Sequence, residues 1–182
     1  MIRKTVCLCI ALGLVPALGQ AAPGERFGPE RGERELTLAG TGSSDRKFDN
    51  GNVGISGDVG WYLRRDTLLG IRQSVNYANI EGESLQDDFW NGASRGFGNY
   101  HFNNPEWRAK PFAGASLGLI YGDGVDDTGF AGLEGGVKYY VRPKTFIMGR
   151  AEYQWFFDRA SDADNTFDDG AWAYTAGIGY HF

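Results

Sequence analysis

Cysteine occurs only at positions 7 and 9, histidine only at 101 and 181, and the 182 residues include just six prolines. Both cysteines fall in a leader-like N-terminus. The rest of the chain is therefore expected to form no disulfide, and with no cysteine at the expected cleavage point no lipoprotein anchor is expected. Two histidines leave little material for histidine-dependent catalysis. After residue 18 no continuous apolar run approaches the roughly 20 residues that a membrane helix needs. Basic residues are outnumbered: 18 Lys and Arg stand against 23 Asp and Glu, and losing Arg3 and Lys4 with the leader takes the net charge from −5 to −7. That balance argues against nucleic acid as a partner.

Met1-Ile-Arg3-Lys4 is a short basic region, Val6 to Leu18 is apolar, and Gly19-Gln-Ala21 offers small residues where a signal peptidase reads. Residues 1–21 are expected to be a signal peptide cleaved after Ala21. Residues 22–33, with two prolines and no pattern, are expected to be a flexible periplasmic lead-in. Residues 34–182 then form one domain, with no composition shift to mark a second.

What is abundant is glycine, at 28 residues, and aromatic side chains, at 14%. From Trp172 to Phe182 every second residue (Trp172, Tyr174, Ala176, Ile178, Tyr180, Phe182) is apolar, opposite Ala173, Thr175, Gly177 and His181. Period-two alternation is a strand with one apolar face. A soluble exported sheet would bury that face, whereas a membrane protein without spanning helices must be a closed barrel that turns it to lipid.

The same template predicts eight strands of about 10 residues each. They lie near 34–42, 52–63, 68–79, 95–103, 111–121, 129–141, 146–157 and 172–182. Tight turns are expected at Arg64–Thr67, Asn104–Trp107 and Arg142–Thr145. Longer polar connections fall at 43–51, 80–94, 122–128 and 158–170. Short turns at one end and long loops at the other are the asymmetry of an outer-membrane barrel. Tyr77, Tyr121, Trp155, Phe157, Trp172 and Tyr174 fall beside the long loops, and Trp61, Tyr139, Tyr180 and Phe182 beside the short turns, predicting two aromatic girdles.

With these features the chain resembles the small eight-stranded outer-membrane β-barrel proteins of the OmpA-like and OmpX-like kind. The resemblance covers nearly all of residues 34–182, including Lys110 to Gly124, which is similar to a central hairpin of such barrels. It implies an all-β, antiparallel, up-and-down transmembrane barrel. It also implies that the C-terminal strand (Tyr174, Ile178, Tyr180 and Phe182) is the signal read by the barrel-assembly machinery, and that the surroundings are outer-membrane lipid and lipopolysaccharide. Because the sequence stops at the barrel, no peptidoglycan tether is expected.

Inward positions carry Glu35, Asp58, Arg72, Glu134, Lys138, Arg150 and Glu152. The 64–67 turn is expected to set Asp58 opposite or diagonal to Arg72, and the 142–145 turn to bring Glu134 and Lys138 alongside Arg150 and Glu152. Eight strands enclose only enough room for side chains, so these charges are expected to interlock as a plug. The alternative is a narrow gated pore. A lipid A-modifying enzyme would need a nucleophile and base within reach, but Ser116 is several residues out of register with His101, and His181 has no inward serine beside it. No catalysis and no cofactor are expected. Asp162, Asp164, Asp168 and Asp169 form a weak candidate for a divalent cation that lacks EF-hand spacing. Asp87, Asp88, Phe89 and Trp90 in the 80–94 connection, together with 158–170, could present a surface to a partner.

Overall fold

The computed structural model describes residues 26–45, 51–79, 88–104, 107–122, 128–157 and 170–182. Eight strands follow one another: β1 (Arg34–Asp45), β2 (Gly51–Arg64), β3 (Thr67–Asn79), β4 (Asp88–His101), β5 (Ala109–Gly122), β6 (Thr128–Arg142), β7 (Thr145–Phe157) and β8 (Gly170–His181). Each pairs antiparallel with its neighbours, and β1 pairs with β8 to close the barrel, from Glu35 opposite His181 to Asp45 opposite Ala171.

Closure makes burial the reverse of a soluble protein's. Leu38, Ile55, Ile71, Leu117, Leu119 and Ile178 are 61–71% exposed on the outside, while Glu35, Asp58, Arg72, Glu134, Lys138 and Glu152 are at most 4% exposed inside. An apolar outer belt around a charged interior is stable only where hydrocarbon replaces water outside. No helix among the described residues is long and apolar enough to cross a membrane, so strands make the crossing.

Two hairpins at the periplasmic end share a local sequence, Trp61-Tyr62-Leu63-Arg64 with Thr67 and Tyr139-Tyr140-Val141-Arg142 with Thr145. Each has a register shift between its tyrosine and its arginine, and each closes with an Arg–Thr pair. The tyrosines point inward, 1% and 0% exposed, and the arginines lie outside. Tyr62 and Tyr140 keep the inward alternation of Asp58 and Lys138, and the bulge after each re-aims the next residue of that face, the arginine, to the outside without breaking the pairing below it.

Two sequence expectations need correction. β4 begins at Asp88, so residues 88–94 are strand and not part of an external connection. Asp88, Phe89 and Trp90 therefore pair with Asn79, Ala78 and Tyr77 instead of standing on a loop tip. The outward face of β4 runs Gly92, Ser94, Gly96, Gly98, which hides the alternation a strand is recognised by. Residues 26–33, the described part of the 22–33 stretch expected to be flexible, are folded against the periplasmic mouth: Phe27 is 4% exposed within a cluster with Phe112, Tyr140, Phe146 and Met148. One buried aromatic in a Pro- and Gly-containing stretch is enough to anchor it, and composition does not register a single anchor.

The periplasmic girdle includes Trp61, Tyr180 and Phe182 and adds Tyr100, Phe102 and Trp107, each exposed by 42–53%. At the outer end Tyr153 packs edge-on against both Trp155 and Trp172, whose ring stacks with Tyr174. The Tyr77 side chain lies outside the described residues. One polar patch faces lipid: Gln73 Nε2 donates to the Tyr121 hydroxyl at 2.7 Å, and Ser94 Oγ donates to Gln73 Oε1 at 2.5 Å. These groups satisfy one another, which lowers the cost of holding them in hydrocarbon.

Candidate functional site: the charged lumen

The inward side chains sort into two tiers. In the middle tier Asp58 on β2 sits directly opposite Arg72 on β3, and Arg72 Nε donates to Asp58 Oδ2 at 2.9 Å. The same guanidinium crosses the lumen to Glu134 on β6, with Nη1 to Oε2 at 2.8 Å and Nη2 to Oε1 at 3.2 Å. That fork-to-fork geometry is the strongest form of the Arg–carboxylate bond. Arg150 on β7 reaches Asp58 Oδ2 at 2.9 Å and Thr175 Oγ1 at 3.1 Å. Arg95 on β4 donates to Glu152 Oε2 at 2.7 Å, and Arg72 Nη1 stands 3.6 Å from the same oxygen. Glu152 also accepts from Ser116 and Gln154. Gly132 makes room for it, since a Cβ there would meet Glu152 Oε1 at 2.5 Å and Ser116 Oγ at 2.8 Å. Rings floor the tier, Phe97 under Arg72 at 4.7 Å and Phe130 under Arg95 at 4.8 Å.

The periplasmic tier holds one pair. Lys138 Nζ on β6 donates to both oxygens of Glu35 on β1 at 2.7 Å, a contact 103 residues apart in sequence. Glu35 also accepts from the Tyr62 hydroxyl at 2.7 Å, and His181 Nε2 lies 3.2 Å away. Phe146, Phe112 and Tyr62 surround the ammonium, with ring centroids 4.9, 5.6 and 5.7 Å from Nζ. His181 touches Tyr140, Phe146 and Tyr62, and His101 lies between Tyr62 and Phe112.

All seven charges named from the sequence are buried inside, and Asp58 meets Arg72 as the turn requires. Other pairings differ from expectation. Glu134 and Glu152 lie side by side as cross-strand neighbours, tolerable because Arg72 stands between them. Lys138 leaves Arg150 and Glu152 for Glu35 on the far wall. Arg95, Tyr62, Ser116, Gln154 and Thr175 were not singled out as site residues. Arg95 lay within reach, as the first residue of the expected fourth strand, but the glycines around it gave its side chain no face. Ser116 and His101 are not brought together: the serine bonds Glu152, and neither ring nitrogen of His101 has a hydrogen-bond partner among the described residues. Asp162, Asp164, Asp168 and Asp169 lie outside the described residues. Among those described, no group of three or more candidate ligands could hold a metal.

Just outside β1, Glu33 is 2.8 Å from Lys144 in the β6–β7 turn and 3.8 Å from His181 Nδ1. Partial burial alone would raise the Glu33 carboxyl, but the Lys144 hydrogen bond and charge outweigh it and hold the group below the usual carboxylate range. The same contact raises Lys144.

No protein-family profile and no curated protein matches this chain. Among solved structures it is similar to Neisserial surface protein A, at 17% identity and TM-score 0.60, over 82% of this chain and 96% of that one. The outer membrane protein OprG of Pseudomonas aeruginosa matches at 10% identity and TM-score 0.63, over 85% and 98%. Ail, the attachment invasion locus protein of Yersinia pestis, matches in its complex with the heparin analogue sucrose octasulfate at 14% identity and TM-score 0.55, over 84% and 99%. At these identities the likeness is one of fold: the chain has the fold of the small eight-stranded outer-membrane β-barrels.

Proposed function

We propose that this chain is an integral outer-membrane barrel protein with a structural or surface-interaction role, no catalysis, and a lumen closed by its paired charges. The observation that carries the reading is that the pairs tie opposite walls together: Arg72 to Glu134, Arg150 to Asp58 and Lys138 to Glu35 join residues 62, 92 and 103 apart. Buried ions held by several hydrogen bonds each are costly to separate. The route to the membrane is export, removal of residues 1–21, and insertion by the barrel-assembly machinery through Tyr174, Ile178, Tyr180 and Phe182.

Interaction falls to the outer connections. Residues 80–87, 123–127 and 158–169 carry formal charges of −3, −3 and −4, against +1 for 46–50. A polyanion of the kind bound to Ail in its complex would be repelled there, so the partner is a cationic or neutral surface, or lipopolysaccharide phosphate bridged by divalent cations. Because 88–94 is strand, the contact surface narrows to 80–87 and 158–169.

A narrow gated pore is the second reading. Asp58 Oδ1, Arg95 Nε and Arg150 Nε are buried without a hydrogen-bond partner among the described residues, which leaves polar positions along the middle tier that water could line. Conductance of the refolded protein in a planar lipid bilayer separates the two. Silence from wild type, Glu152→Gln and Arg150→Gln alike is expected of the closed barrel. Steady ion-selective steps altered by either substitution would overturn it in favour of the pore.

A further inference from the structure

Below the charged tiers the periplasmic mouth is covered by the chain's own N-terminal segment. Phe27 enters the mouth among Phe112, Tyr140, Phe146 and Met148, and the Arg108 guanidinium stacks on its outer side at 4.6 Å. Gly28 donates to the carbonyl of Pro143 at 3.3 Å, and Gly32 to that of Tyr62 at 2.8 Å; Glu33 accepts at its carbonyl from the Tyr62 N–H at 2.9 Å. The segment is thereby fastened to both of the matched tyrosine hairpins. Glu33 adds the ion pair to Lys144, and Glu30 stands 3.9 Å from Arg65.

Lys110 lies directly under this segment. It is 0% exposed although it sits at the rim of β5, and its Nζ donates to Asn103 and to the carbonyl of Asn104. It makes no ion pair among the described residues. Gly28, at φ +105°, is the residue laid over it: a Cβ there would stand 2.7 Å from Lys110 Cε and 2.9 Å from Nζ. A side chain is thus disfavoured twice, by conformation and by space. From Arg34 onward β1 to β8 close through their own ladders, and the bonds of Gly32 and Glu33 with Tyr62 mark where the segment passes into the β1–β2 pair.

We propose that residues 26–33 form a built-in stopper for the periplasmic mouth, seated by Phe27 and able to lift off while the barrel stays closed. Lifting would bare Lys110, Arg108 and the aromatic floor to the periplasm. The inference goes beyond the proposed function and does not need the lumen above the stopper to be closed.

Lysine acylation followed by mass spectrometry tests it on the refolded chain without residues 1–21. Lys144 serves as the exposed reference and Lys138 as the marker of an opened barrel. In wild type Lys110 should react at least about tenfold more slowly than Lys144, as a group that reacts only through local opening. Phe27→Ala and Gly28→Val should each raise the Lys110 rate roughly tenfold with Lys138 still protected, and Phe27→Leu should not. Lys110 reacting as fast as Lys144 in wild type would overturn the stopper. So would a rate unchanged in both variants, or Lys138 labelled along with Lys110, which would make Phe27 part of the wall. Ion conduction that appears in Phe27→Ala and Gly28→Val but not in wild type would defeat the closed-lumen reading and leave the stopper standing, whereas conduction by a wild type whose Lys110 is protected would overturn both.

Discussion

The two lumen tiers bury charge in different ways. In the periplasmic tier Lys138 has one carboxylate partner, Glu35, inside a cage of rings. In the middle tier Arg72 alone touches Asp58, Glu134 and Glu152, and Arg150 shares Asp58 with it. A lone pair has no substitute when one member is lost, whereas a branched network can redistribute. The tier nearest the mouth should therefore be the more fragile, although it contains fewer charges.

The largest effect should come from Lys138→Met, which leaves Glu35 buried with Thr37, Tyr62 and His181 as its remaining partners. A loss of about 3–5 kcal/mol is expected for breaking a buried pair, read as unfolding in urea from vesicles. Next, Ile178→Arg leaves both tiers untouched and places a cation on the lipid face, where Ile178 is 62% exposed. About 2–4 kcal/mol is expected at mid-membrane depth, seen as reduced folded protein in the outer membrane; normal amounts would contradict the assignment of faces. Glu152→Gln should cost less than Lys138→Met, about 1–3 kcal/mol, because Arg72 retains Asp58 and Glu134 and Arg95, losing its carboxylate, retains Ser74. A loss equal to that of Lys138→Met would erase the distinction between the tiers.

The smallest effect lies at the mouth. The Glu33 carboxyl faces Lys144 and His181 and is held below its ordinary value. Its contribution is thus complete above the normal carboxylate range and is lost as the pH falls through the lowered value. Hydrogen exchange at the Gly32 amide, corrected for its intrinsic rate, should show protection at neutral pH that weakens only in acid. Glu33→Gln should flatten that dependence.

How much of this was legible beforehand follows from the distance each signal had to travel. Asp58 and Arg72 could be paired from sequence because a short turn fixes the register between their strands. The partnership of Lys138 with Glu35 could not, since it exists only once β1 closes on β8 and the far wall arrives. Seven of the eight strands declare themselves by alternation. β4 starts seven residues earlier than its pattern suggests, because glycine and serine face lipid there and leave no apolar beat. The stopper was hidden for a related reason: its composition is that of a coil, and Phe27 is the only aromatic from 22 to 33. The outer connections, to which the proposed interaction is assigned, speak through sequence charge alone.

The most direct test of a lumen held closed by its pairs is a double-mutant cycle between Glu35 and Lys138, measured by equilibrium unfolding of the refolded barrel in vesicles. Glu35→Gln and Lys138→Met should each be costly alone and much less so together, with a coupling energy of about 2–3 kcal/mol. Additive losses, with coupling below about 0.5 kcal/mol, would mean that the wall-to-wall pair holds nothing, and would contradict the account.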